Sequence, residues 1–335
     1  FRSNLDNGNS DRYSLANTYY LKYGDSIKVQ NQWIDNLNRN HEYRVQLTYM
    51  EPVFTNHFIE INYSYQHRSS LSEKYAYDWN DLEDSYSQYP DTAQSDCYKN
   101  KYSIHQVGAF FRTIRTNYFY NIGIEIEPQQ TTNQSYMRDT TLEYSSRNAI
   151  NYAPTMNFKY TFSKQTTLRI NYRGRTTQPS MTDLYSKNDI SDPLNIRLTN
   201  PNLKPSFNNN ISATFNTYFT ETLRSFNANF SYSNTINSTT RIVTYDENTG
   251  GRTTQPTNVN GNWRINGSFT FSTPLSNKKF TVNTYTNANY GNSVGFTVLN
   301  KESDAVKSNT TNLFLSERLK GNYRSDLIDC ELSAG

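Results

Sequence analysis

Apolar and polar side chains alternate with a period of two over most of the chain, the pattern of strands whose successive side chains point to opposite faces. Tyr43, Val45, Leu47 and Tyr49 share one face while Glu42, Arg44, Gln46 and Thr48 share the other, and Ile59, Ile61, Tyr63 and Tyr65 oppose Glu60, Asn62, Ser64 and Gln66. Tyr118, Tyr120, Ile122, Ile124 and Ile126 oppose Asn121, Gly123, Glu125 and Glu127. Ile150, Tyr152, Met156, Phe158, Tyr160 and Phe162 oppose Asn151, Thr155, Asn157, Lys159 and Thr161. The same pattern predicts strands at Leu168 to Tyr172, Ile211 to Phe219, Phe226 to Tyr232, Trp263 to Phe271 and from Phe280 onward, with an early one from Leu15 to Tyr23. Between Tyr102 and Arg112 the phase breaks, because Tyr102 and Ile104 are out of step with Val107, Ala109 and Phe111; a β-bulge near His105 is expected.

The connections alternate in length. Short turns fall at Glu51 to Asn56, Thr113 to Asn117, Ser163 to Thr166, Thr220 to Leu223, Thr273 to Lys278 and Lys320 to Asp326. Long polar loops fall at Gly24 to Asn40, Arg68 to Lys101, Pro128 to Arg147, Thr176 to Asn208, Ile236 to Asn258 and Ser293 to Ser308. The reading is an all-β fold, an antiparallel up-and-down transmembrane β-barrel, partial, with about 13 strands, tight turns on one rim and long loops on the other. A two-sheet sandwich would put long connections at both ends.

Composition agrees. Of the 335 residues only 34% are hydrophobic, and mean hydropathy is -0.86, yet 28 Tyr, 18 Phe and 3 Trp make the chain too aromatic to be disordered. A soluble protein carries roughly 45–50% apolar residues, whereas a barrel wet on one side needs apolar side chains on one face only. No run of about 20 apolar residues offers a helical span. The net charge of +3 with interspersed signs lacks the basic stripe of a nucleic-acid binder, so no nucleic acid is expected as partner. Cys97 and Cys330 are too few for a disulfide framework or metal cluster, and no export signal is visible at Phe1-Arg2-Ser3-Asn4.

Two stretches carry a family resemblance: Tyr172-Arg173-Gly174-Arg175-Thr176-Thr177-Gln178-Pro179-Ser180, and Asn200-Pro201-Asn202-Leu203-Lys204-Pro205-Ser206-Phe207. They resemble the barrel of TonB-dependent outer-membrane receptors, in particular the outer-membrane β-barrel family of Bacteroidota. The second resembles that family's Asn-Pro-x-Leu-Lys-Pro-Glu pattern at Asn200, Pro201, Leu203, Lys204 and Pro205, with Ser206 where Glu is usual. The resemblance implies a barrel of about 22 strands around a plug, located in the bacterial outer membrane and energised by a TonB complex. On that basis residues 1–335 form a partial barrel domain, with the plug and the terminal strands outside this sequence. The expected function is nutrient uptake. A plug-less channel or structural barrel is the alternative, and a soluble glycan-binding β-protein a third reading.

No enzyme is expected and no cofactor, because His41, His57, His67 and His105 show no metal-ligand or catalytic spacing. His57 and His67 share the apolar face and belong near the rims. The acidic run Asp78-Trp79-Asn80-Asp81-Leu82-Glu83-Asp84 lacks the EF-hand Gly and distal Glu and reads as a solvated loop. In that same loop Tyr75, Tyr77, Trp79, Tyr86 and Tyr89 either pack on one another or stack on a ligand. Glu42, Arg44, Glu60, Asn62, Arg112, Glu125, Lys159, Arg169, Arg173 and Arg264 are expected to line the lumen, where their mixed signs favour no single solute charge. The expected partners are outer-membrane lipid, a TonB complex acting through the plug, and a small solute of unknown identity.

Overall fold

The computed structural model describes residues 2–20, 26–92, 94–137, 140–180, 183–184, 194–246, 250–275, 279–297, 306–325 and 329–335. Its strands are β1 (Arg2–Tyr20), β2 (Ser26–Phe54), β3 (His57–Asn80), β4 (Ser85–Tyr86), β5 (Asp96–Ile114), β6 (Tyr118–Met137), β7 (Thr140–Thr161), β8 (Thr167–Thr177) and β9 (Asn195–Arg197). There follow β10 (Ser206–Phe219), β11 (Arg224–Ile236), β12 (Ser238–Tyr245), β13 (Arg252–Val259), β14 (Asn262–Pro274), β15 (Phe280–Thr297), β16 (Val306–Arg324) and β17 (Asp329–Ala334). Thirteen of them form one antiparallel up-and-down sheet in the order β1-β2-β3-β5-β6-β7-β8-β10-β11-β14-β15-β16-β17, with β4 hydrogen-bonded to β3. A second sheet joins β12 and β13 antiparallel and adds β9 parallel to β13.

Register carries the alternation of single strands across the whole sheet. Ile61 pairs with Ala109 and Tyr49, Ala109 with Ile124, Ile124 with Pro154, and Phe158 with Tyr120 and Ile170. One face is therefore continuously apolar, and Leu47, Ile61, Ile122, Ile150 and Phe230 on it stay exposed to the surroundings. Rings collect toward both ends of this face. On the tight-turn side His57 stacks on Phe111, and Tyr160, Phe162, Phe215, Phe226 and Phe269 form an unbroken series of contacts. On the other side Tyr43 meets Tyr65 and His67, while Tyr63 hydrogen-bonds His105 at 3.0 Å. The stretch from Tyr118 to Glu127 rises about 33 Å along the strand at about 3.3 Å per residue, and a tilt of about 40° reduces this to about 25 Å, the height of a lipid-facing band.

The strands run well beyond that band, which corrects most of the expected loops. β2 has 29 residues, about 95 Å at about 3.3 Å each. It absorbs nearly all of Gly24 to Asn40, β3 and β5 take all of Arg68 to Lys101 except residues 81–95, and β6 and β7 take Pro128 to Arg147 except residues 138–139. Within Ile236 to Asn258 lies the β12–β13 hairpin, and β15 and β16 enter Ser293 to Ser308 from either side. Above the band both faces meet water, so alternation disappears from the sequence while cross-strand pairing of Thr, Ser, Gln and Tyr continues. The early strand is longer than expected, since β1 begins at Arg2; residues 21–23 of the expected span lie outside the described residues.

No bulge forms at His105. The β3–β5 and β5–β6 registers are unshifted from Ile104 to Val107, and the irregularities lie instead at Pro52/Phe54 and Ser135/Tyr136. Tyr102 and Ile104 point to the polar face with Gln106, because that face has an apolar neighbour at their height.

Candidate functional site

That neighbour is the connection between β8 and β10, and Pro154 sets where it departs from the wall. Proline has no N–H to donate, and the β7–β8 ladder ends beside it at Thr155–Arg173. Thr176 takes over with its side chain, accepting from the Tyr152 N–H at 3.0 Å and donating to the Tyr152 carbonyl at 3.2 Å. Gln178 then donates to Asn151 at 2.6 Å. Ser180 caps a short turn by accepting from the Asp183 N–H at 3.0 Å. Leu184, 1% exposed, and Leu203, 3% exposed, are thereby set against Tyr102.

The second motif stretch is fastened to β13. Asn200 donates to the Pro256 carbonyl at 3.0 Å and accepts from the Asn202 N–H at 3.0 Å, closing an Asx turn. Asn258 accepts from the Lys204 N–H at 2.7 Å and donates to the Lys204 carbonyl at 3.0 Å. Pro201 lies within the Asx turn, while Pro205 fixes the backbone directly ahead of β10 and biases Lys204 toward an extended conformation. The two motif stretches also meet, since Phe207 on β10 covers Gly174 on β8, where any Cβ would lie 2.7 Å from the ring.

Between this connection and the wall lies a cavity of about 280 Å³ whose lining includes Arg68, Tyr102, Gln129, Arg147, Gln178 and Leu184. The Arg68 guanidinium sits 5.7 Å above the Tyr102 ring centre. Arg147 donates to the Leu203 carbonyl at 3.5 Å. Sequence alternation missed this site, because its apolar members are isolated residues in polar stretches; the out-of-phase Tyr102 and Ile104 were the signal.

All ten residues expected to line a lumen share the polar face by register. Some are brought together. Arg44 donates to Gln106 at 2.7 Å and Ser64 at 3.2 Å, and Gln106 donates to Glu125 at 2.7 Å and Glu127 at 3.1 Å, so one network crosses β2, β3, β5 and β6. Arg112 pairs with Glu60 at 2.5 Å, and Asn62 donates to Glu60 at 3.0 Å. Glu42 faces Arg68 across β2 and β3. Lys159, Arg169 and Arg173 stand farther along the sheet on β7 and β8, and Arg264 lies on β14. There the polar face is built of amides and hydroxyls, such as Thr214 with Asn229 at 2.9 Å and Asn266 with Ser231 at 3.1 Å.

Tyr75, Tyr77 and Trp79 stand on β3 above the band, with Tyr86 on β4. Trp33 stacks on Tyr77 at 4.8 Å, Trp79 meets Tyr86 edge-on at 5.0 Å, and Tyr13 lies 5.8 Å from Tyr86. Tyr89 is largely exposed. Nearby, Tyr136 donates to Glu73, and burial together with that bond pushes its phenol pKa up. Burial likewise raises the Cys97 thiol. Among the described residues no three His, Cys, Asp or Glu side chains are grouped to hold a metal ion.

Comparison with known proteins places this architecture. No curated protein matches the chain in sequence. Among solved structures it is similar to a copper transporter, OprC, at 12% identity and a TM-score of 0.54, covering 88% of this chain and 42% of that one. It is also similar to the siderophore receptor PiuA from Acinetobacter baumannii at 8% identity and a TM-score of 0.50, covering 96% and 50%. The chain thus spans about half the length of the structures it matches, and at these identities the likeness shows the fold. The model of the outer membrane protein beta-barrel family matches residues 1–327. With its apolar outer band, aromatic girdles and up-and-down strand order, the chain belongs to the outer membrane protein beta-barrel family.

Proposed function

We propose that this chain is part of the barrel wall of a TonB-dependent transporter that takes up a scarce solute, acting with a plug domain and a TonB complex. The observation that carries the reading is the β8–β10 connection, set onto the polar face through Leu184, Leu203 and Gln178 and tied to β13 by Asn200 and Asn258. A merely structural barrel has no need of a cavity held open on its inner wall, whereas a transporter must bind its solute before moving it. The fold shared with a copper transporter and a siderophore receptor supports the same reading.

In this reading Glu42, Arg44, Glu60, Asn62, Arg112, Glu125, Lys159, Arg169, Arg173 and Arg264 line the lumen and meet the plug or the solute. A soluble glycan-binding protein is not compatible with membership of an outer-membrane family. The passive-channel alternative is decided by placing the complete protein in planar bilayers. A plugged transporter gives no sustained current, and cells that need it lose growth on the scarce solute when TonB is deleted. A steady ohmic conductance together with TonB-independent growth would establish the channel instead.

A further inference from the structure

Charge on the polar face is segregated along the sheet. The carboxylates Glu42, Glu60, Glu125 and Glu127 stand on β2, β3 and β6, where the last three engage Arg112, Asn62 or Gln106. From Ser145 onward, β7, β8, β10, β11, β14 and β15 contain neither Asp nor Glu. Their cations are Arg147, Lys159, Arg169, Arg173, Arg175, Arg224 and Arg264, and all except Arg224, at the tight-turn rim, face the polar side by register. Arg169, Arg173 and Arg175 are exposed there in a single file on β8. A low-dielectric wall carrying one sign of charge focuses its field and concentrates counter-ions.

The file leads to the cavity under the β8–β10 connection, which has the same sign. Arg68 and Arg147 line it, and among the described residues no carboxylate does. One Arg147 nitrogen, Nη1, is buried without a hydrogen-bond partner among the described residues, and so is the Gln178 Oε1. A buried guanidinium N–H left unmatched costs free energy that an anionic oxygen recovers, while the Gln178 oxygen accepts from a hydroxyl. We propose that this cavity binds a small hydroxylated anion, with carboxylate or phosphate oxygens held by Arg147 and Arg68, and that Arg175, Arg173 and Arg169 form a cationic track below it. The proposal names the solute class for the transport reading above and rests on that reading for the direction of passage only.

The test uses the complete protein in detergent and isothermal titration with citrate, inorganic phosphate and maltotriose. Saturable binding of citrate or phosphate is expected, weakening as salt is raised, with maltotriose silent; citrate alone assigns a carboxylate ligand and phosphate alone a phosphate ligand. The double variant Arg68→Gln/Arg147→Gln should bind about 10-fold or more weakly, and Arg252→Gln, away from the cavity, should bind as the parent does. Heat-modifiable migration in gels confirms that each variant keeps its barrel. Absence of binding by both anions, or unchanged binding in the folded double variant, overturns the proposal. So does a heat-modifiable Arg169→Gln/Arg173→Gln/Arg175→Gln variant whose anion binding keeps its full strength and salt dependence, since the track then contributes nothing. No step involves TonB, so a negative uptake result leaves this measurement readable.

Discussion

The side-chain amide of Asn258 makes two hydrogen bonds to the backbone of Lys204, accepting from its N–H at 2.7 Å and donating to its carbonyl at 3.0 Å. This copies the exchange between paired strand residues, so one side chain stands in for a strand neighbour and docks the Asn-Pro-x-Leu-Lys-Pro stretch on β13. At about 1 kcal/mol per bond, Asn258→Ala should loosen the β8–β10 connection by about 1–2 kcal/mol. Limited proteolysis of the folded protein should then cut between residues 178 and 205 about 5- to 30-fold faster. An unchanged rate would mean that Leu203 and Asn200 hold the segment alone.

The two faces of the sheet should respond oppositely to charge. Arg introduced at Ile61, Ile124 or Phe158, on the apolar face, should cost about 2–4 kcal/mol, and Arg at Asn62 or Asn157 should be tolerated. Refolding into lipid vesicles across a urea series measures both, and equal penalties on the two faces would contradict a lipid-facing band.

Phe110 lies on the polar face over two glycines. At Gly108 a Cβ would meet the Phe110 ring at 2.7 Å and Glu125 Cγ at 3.0 Å, both side-chain atoms, whereas at Gly123 it would meet the Ala109 carbonyl as well as the ring. Gly108→Ala should therefore destabilise by about 1–3 kcal/mol, and Phe110→Ala should relieve part of that penalty in a double-mutant cycle. Gly123→Ala should show less relief, because a backbone atom cannot move aside. Urea midpoints in vesicles provide the comparison, and strict additivity at Gly108 would rule out the ring as its obstacle.

Extended hairpins sharpen the expectation for surface exposure. Residues 81–84 form the turn above β3, and Leu82 is 97% exposed. Chymotrypsin added to intact cells carrying the complete protein should cleave after Leu82, while Glu51 to Asn56 and Ser163 to Thr166 stay protected at the periplasmic rim. Fragment masses would identify the site, and cleavage at the short turns with Leu82 spared would invert the barrel.

Within the lipid band the sequence by itself determined the fold. A strand with lipid on one side and polar surroundings on the other must alternate, so Ile61 against Asn62 and Ile124 against Glu125 declare strand, face and class at once, and the tight turns mark one rim. Outside the band that constraint lapses. Asn and Gln on both faces of residues 26–40, or Thr, Ser and Gln within Pro128 to Arg147, look the same in a loop and in a wet strand, and only pairing with neighbours decided that β2, β6 and β7 extend through them.

The motif stretches were legible as family marks and as stiffened chain, but their use was not. That Leu203 meets Leu184 and Tyr102, that Asn258 reaches Lys204 from 54 residues away, and that the cations of β7 and β8 gather on one face follow from register and from where Pro154 ends a ladder. These are long-range relationships. A local pattern records which face a side chain takes, and tertiary structure alone decides which other faces it meets.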